Sequence, residues 1–301
     1  MNTHGSWQES FSWLMGTTWG RSVPVAVYKY GKIIPGVILF WRRRTLMRKL
    51  RDQLFTVQTE ARARGFEGYP DVIAHSFGTW LFGHLLKEEL HKEVEERLCF
   101  GRVILLGCIL RPDFDWQELR DAGVVQEVLN HFGSKDPVVP CAHFTIWDSG
   151  PSGRQGFDID QDTLDQASVI NVKADGYGHS HAMDISKRAE DFHADVNSET
   201  MTLLQHSYEN VWEPFLTLDR SELYEAMDTY VPESKWRSYP WLLRGTLFPI
   251  FAMPLLTVML VCLCLVIGQL VTFFIALWVA GICTAGLLTL IFLRFLIWLN
   301  R

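Results

Sequence analysis

Residues 70–81 read Pro70-Asp71-Val72-Ile73-Ala74-His75-Ser76-Phe77-Gly78-Thr79-Trp80-Leu81. The hydrophobic period changes in the middle of this stretch. Pro70–His75 is a short apolar run bounded by turn residues, which predicts a buried strand. From Thr79 to about Leu98, apolar residues recur at Leu81, Leu85, Leu86 and Leu90, the spacing of one helix face. Between the two lies Ala74-His75-Ser76-Phe77-Gly78. A serine held in a sharp strand-to-helix turn needs small residues two positions before and after it, because strand and helix approach closely there. Ala74 and Gly78 meet that need. The competing reading is a serine that merely caps the helix beginning at Thr79.

The same alternation extends in both directions. Val23–Tyr30, Arg102–Leu106, Val124–Asn130 and Ser168–Val172 read as strands, Val37 to about Arg64 as a helix, and Asp184–Glu190 as a charged, helical stretch. Strands alternating with helices predict an α/β domain with a mostly parallel sheet. The chain has 301 residues, 48% hydrophobic and 21% charged, with 28 basic against 34 acidic residues. Those averages exclude a disordered chain, a coiled coil and a collagen-like repeat. The acidic balance argues against a nucleic-acid partner. Cys99, Cys108 and Cys141 fall before the apolar tail and Cys262, Cys264 and Cys283 within it, with no zinc spacing, so reduced thiols are expected. Trp41-Arg42-Arg43-Arg44, after the apolar Val37–Phe40, either lies on an anionic membrane surface or packs on the sheet with its arginines solvated.

A serine nucleophile needs a base and an acid that orients it, and the chain after Ser76 offers candidates for both. Asp136 lies in Gly133-Ser134-Lys135-Asp136-Pro137, a turn just past the strand at Val124–Asn130. His179 lies in Gly176-Tyr177-Gly178-His179-Ser180-His181, directly after the last strand, where flanking glycines let a ring reach back over the strand ends. His181 is the competing base, and Asp113 and Asp115 are alternative acids that equally suit a loop or a helix start. His75 reads as a pocket-shaping residue, and His131, His143 and His193 as structural or surface residues.

These three elements, in this order and each after a strand, resemble the α/β-hydrolases (the serine hydrolase and lipase type), and the likeness covers about Asn2–Phe215. The resemblance implies that Ser76 attacks an acyl carbonyl, His179 moves the proton and Asp136 holds the imidazole, with no metal or organic cofactor. It implies one oxyanion donor at the Phe77 N–H and a second at Ser6, in the loop-like Met1-Asn2-Thr3-His4-Gly5-Ser6-Trp7, followed by a helix through Leu14. The chain departs from the pattern in having no strand ahead of that loop. The missing strand belongs between Val23–Tyr30 and Pro70–His75, so roughly 10–20 further residues before Met1 are expected. An endogenous mass beginning at Met1, with activity intact, would sink that expectation. Ser149–Phe157 is expected either to rim the site, with Arg154 meeting an anionic group, or to be a surface connection.

The tail obeys a different solvent. Gly245–Leu293 is 49 residues without Asp, Glu, Lys or Arg. A ~30 Å hydrocarbon core takes about 20 residues per helix, which predicts two transmembrane spans, Leu247–Ile267 and Val271–Leu293, hinged at Gly268-Gln269. Pro249 and Pro254 are expected to kink the first. Trp236, Tyr239, Trp241 and Trp298 read as interfacial anchors. Lys235, Arg237 and Arg244 before the spans, with Arg294 and Arg301 after them, predict both ends and the globular domain on the cytoplasmic side. The expected organisation is a hydrolase-like domain over 1–217, a linker over 218–244 and a membrane hairpin over 245–301. The expected function is a membrane-anchored serine hydrolase whose partners are an ester, thioester or lipid substrate and the bilayer, with homo-oligomers through the spans left open. The alternatives are an impaired hydrolase fold used for signalling and an effector that disrupts membranes through its hairpin.

Overall fold

The computed structural model describes residues 7–20, 25–28, 40–159, 168–193, 196, 200–227, 229–233 and 253–299. Four strands form its sheet: β1 (Val72–His75), β2 (Phe100–Leu106), β3 (Val125–Gly133) and β4 (Val169–Ala174). They lie in the order β1-β2-β3-β4, and every pair is parallel. The expected strands at Pro70–His75, Arg102–Leu106, Val124–Asn130 and Ser168–Val172 are present within a few residues. Two helices, α1 (Trp7–Trp19) and α2 (Phe40–Ala63), precede β1; parallel neighbours require crossovers, which α3 (Phe77–Leu90), α4 (Trp116–Asp121), α5 (Val138–Thr145) and the single turn α6 (Ser152–Gln155) supply. After β4 come α7 (Leu203–Ser207), a π-helical turn at Tyr208–Trp212, α8 (Glu213–Thr217), α9 (Arg220–Ala226) and α10 (Met253–Leu299).

The period of two along each strand divides the core into layers. Val103 and Leu105 of β2 and Val128 of β3 face one way, against Phe82 and Leu86 of α3 and Trp116 and Leu119 of α4. Ile104, Leu106, Leu129 and Ile170 face the other way, against Phe11 and Leu14 of α1, Leu204, Tyr208, Trp212 and Phe215. Helices therefore cover both faces, the architecture expected of a parallel sheet.

Four expectations differ from the structure. Val25–Tyr28, the described part of the expected strand at Val23–Tyr30, is not in a sheet. β1 ends the strand order, so a segment expected two places beyond it has no ladder to join. It packs on α2 instead, where Tyr28 Oη donates to the Leu46 carbonyl and Gln53 donates to that of Val27. The helix after Ser76 stops at Leu90 rather than near Leu98. Beyond it, the buried Glu89 carboxylate gathers Arg51, Lys92 and the Leu98 N–H. Asp184–Glu190 is not helical, because Asp184 Oδ1 accepts from the Ser186 and Lys187 N–H groups and draws the backbone into a turn. Lastly, α10 runs without a break through Gly268-Gln269, where Thr272 Oγ1 donates to the Gly268 carbonyl.

The chain divides into two compact units, residues 1–246 and 247–301. Within the first, part of the expected linker is docked: Asp219 and Glu222 make a capping box for α9, whose Leu223 is fully buried, and the Tyr230 N–H donates to the Asn171 carbonyl. Within the second, Thr257–Ile291 has a mean hydropathy of 2.7 with none of it buried, so it is long and apolar enough to cross a membrane. Pro254 sits in the first turn of α10, where its missing N–H costs nothing. Pro249, Trp236, Tyr239 and Trp241 lie outside the described residues.

Candidate active site

The carboxyl end of a parallel sheet is where its crossover loops converge, and three of those loops bring Ser76, Asp136 and His179 together. Ser76 follows β1 directly and adopts φ 55°, ψ −126°, a conformation that L-residues rarely take. Its N–H donates to the Leu106 carbonyl at the end of β2, which fixes the turn to the sheet. The capping alternative fails: Ser76 makes no side-chain cap on α3, and Thr79 Oγ1 donates back to the Ser76 carbonyl instead.

His179 Nε2 stands 2.8 Å from Ser76 Oγ, and His179 Nδ1 stands 2.7 Å from Asp136 Oδ2. Asp136 is 1% exposed, and its Oδ1 accepts the N–H groups of Val138 and Val139 at the start of α5. An ionised carboxylate only accepts, so Nδ1 carries the hydrogen. Nε2 is then the bare nitrogen that accepts the serine hydroxyl. The three groups form a directed chain from O–H to imidazole to carboxylate, with the ring's tautomer set by the buried acid.

His181 does not join the chain. Its Nδ1 accepts the Gly178 N–H, and its ring lies against Tyr177 and Phe192. Asp113 pairs with Arg111, and Asp115 caps α4 by accepting the Glu118 N–H, so neither competes with Asp136. Phe77 is the first residue of α3, where backbone donors point out of the helix end towards the turn. Ser6 lies outside the described residues. Ser149–Phe157 is not a loose surface connection. Ser149 and Ser152 are buried and donate to the carbonyls of Ile146 and Leu110, leaving Arg154 exposed.

Two supporting roles escaped the sequence reading, that of His75 on the His179 loop and that of Gly107. His75 Nε2 lies 3.1 Å from the His179 carbonyl and, as its partner only accepts, donates to it, steadying the loop that carries His179. Burial foremost, then the nearby His179 ring, lowers the His75 pKa from 6.5 to about 4, so it is neutral at pH 7. Gly107, just past β2, has φ +50°, and a Cβ there would come within 2.8 Å of the His179 ring. A glycine directly after a strand is the local signal that marks it, whereas nothing local signals the His75 contact. Among the described residues no cluster of His, Cys, Asp or Glu suits a metal ion.

Comparison with known protein families, with curated proteins and with solved structures finds no match for this chain. The class is therefore defined by its own geometry: an α/β protein with a serine–histidine–aspartate chain at the carboxyl end of a parallel sheet.

Proposed function

We propose that this chain is a membrane-anchored serine hydrolase of the α/β-hydrolase type, cleaving an ester or thioester. The observation that carries the reading is the directed Ser76–His179–Asp136 chain, with links of 2.8 and 2.7 Å, placed on a left-handed strand-to-helix turn. In the proposed reaction His179 Nε2 removes the Ser76 proton as Oγ attacks the acyl carbonyl. The resulting imidazolium is held by the buried Asp136 carboxylate, and the Phe77 N–H donates to the oxyanion, a contribution of about 3 kcal/mol in the transition state. His179 then protonates the departing alcohol or thiol, and water enters by the same relay to release the acid.

The exposed apolar surface of α10 supports the anchor. At 1.5 Å per residue its 47 residues measure about 70 Å, more than twice a ~30 Å hydrocarbon core. That length favours two spans in a bilayer, turning at Gly268-Gln269. The basic flanks at Lys235, Arg237 and Arg244, and at Arg294 and Arg301, favour cytoplasmic ends and a cytoplasmic globular unit. An acyl lipid is the substrate that such an anchor brings closest to the site.

The test is hydrolysis of a short-chain p-nitrophenyl ester and a matching thioester by the full chain in vesicles. Asp136→Asn, which leaves the nucleophile in place and spoils the tautomer, is expected to cut kcat by about 10³–10⁴-fold. No hydrolysis by the wild type, or equal hydrolysis by the variant, contradicts the reading and leaves the signalling and membrane-disrupting alternatives.

A further inference from the structure

Helix α2 begins in the most lopsided charge of the chain. From Ser10 to Arg51 the sequence holds nine Lys or Arg and no Asp or Glu, in a chain whose net charge is −6. Six of the nine are Arg42, Arg43, Arg44, Arg48, Lys49 and Arg51, all in the first half of α2. Two of these serve the fold. Arg43 is buried with its guanidinium 5.2 Å from the Trp80 ring centroid, and Arg51 pairs with Glu89. Arg42, Arg44, Arg48 and Lys49 are exposed and, among the described residues, enter no ion pair.

Their placement works against the helix. The first turn of α2 contains no acid, so the arginines crowd the positive end of the helix dipole. Arg44 and Arg48 are four apart, where like charges repel. Helix stability therefore does not explain the cluster.

Its position offers a reason. α2 and α3 run side by side in the same direction: Arg43 meets Trp80 near their starts, and Arg51 meets Glu89 near the end of α3. The basic start of α2 thus lies at the Ser76 end of the sheet, since Ser76 immediately precedes α3. Trp80 joins the two features. Its ring stacks on Phe77 at 5.9 Å, and its indole N–H donates to the carbonyl of Trp147, a residue that is 61% exposed. Solvated guanidinium groups at the same end of the sheet as an exposed indole suit anionic headgroups: the charges meet phosphate and carboxylate, and the indole takes the boundary of the apolar layer. A bilayer is also the solvent that α10 demands in this same chain.

We propose that the face formed by Arg42, Arg44, Arg48, Lys49 and Trp147, beside Ser76, rests on the anionic headgroups of a lipid bilayer. The proposal rests on the membrane reading of α10 and not on catalysis, so its test measures arginine accessibility rather than turnover. The full chain is reconstituted in vesicles of phosphatidylcholine alone, or with about 30% phosphatidylserine added to supply surface charge. Modification by membrane-permeant phenylglyoxal is then read residue by residue by mass spectrometry. Arg62, in the last turn of the same helix, and Arg64, just beyond it, are the internal reference. The expected result is a roughly fivefold loss of reactivity at Arg42, Arg44 and Arg48 in the anionic vesicles only, with Arg62 and Arg64 unchanged. High salt should restore the reactivity, because it screens exposed charge. Equal reactivity in both vesicles overturns the proposal. So does equal protection in both, which would instead indicate that another protein surface or a second copy covers the cluster. Wild-type hydrolysis without this protection would remove the proposal and leave the catalytic reading standing.

Discussion

Ser76 concentrates the argument into one residue. Its φ of 55° puts a Cβ where an L-residue meets its own backbone, a cost of about 1–3 kcal/mol that the turn's bond to Leu106 must hold. Replacing it separates strain from chemistry. Ser76→Gly and Ser76→Ala both remove the hydroxyl, yet only glycine relaxes the turn. Thermal unfolding of the full chain should therefore give Ser76→Gly a Tm roughly 2–4 °C above Ser76→Ala. Equal values, or the reverse order, would mean that the turn is not strained. At this scale the sequence was readable: Ala74, Gly78 and the Ser–Asp–His order marked three residues that the fold brings within hydrogen-bond distance. His75 was not, because its grip on the His179 carbonyl joins positions 104 residues apart.

Elements were legible where the pattern was internal to them and illegible where a neighbour decides. The runs giving β1 to β4 carry their own apolar, β-branched pattern, and all four pair in parallel. Val25–Tyr28 belongs to an equally β-branched run but lacks an adjoining ladder, since strand formation depends on a partner. Asp184–Glu190 was lost to a single side chain that bonds the backbone locally. The apolar tail presents the inverse case, because protein buries none of Thr257–Ile291. The helix α10 is continuous, and the proposed hairpin would fold it back at Gly268-Gln269 in a bilayer about 30 Å thick. A Gln269→Cys variant in sealed cells should then react with an impermeant maleimide applied outside, with the wild type giving no reaction above background. Protection of that cysteine from outside would contradict the hairpin.

For the molecule as a whole, buried histidines couple stability to acid. His131 is 5% exposed, and the Trp212 indole N–H, which only donates, points at its Nδ1 from 3.1 Å. Burial foremost, then the neighbouring His206 and His193, lowers its pKa from 6.5 to about 3. His75 behaves likewise, with a pKa of about 4. Below pH 6.5 the unfolded chain binds protons that the folded chain refuses, so stability rises with pH across this window. It is complete above pH 6.5 and declines as pH falls towards 4. The Tm should therefore drop steadily from pH 7 to pH 4, and a flat profile would contradict these burials. The central claim, that Ser76 is a nucleophile activated by His179, has the most direct test in covalent labelling of the full chain by a fluorophosphonate, located by mass spectrometry. The account predicts a single adduct on Ser76 in the wild type, none in Ser76→Ala and labelling slowed at least about 100-fold in His179→Ala. An unlabelled wild type, or one labelled equally fast without His179, would contradict it.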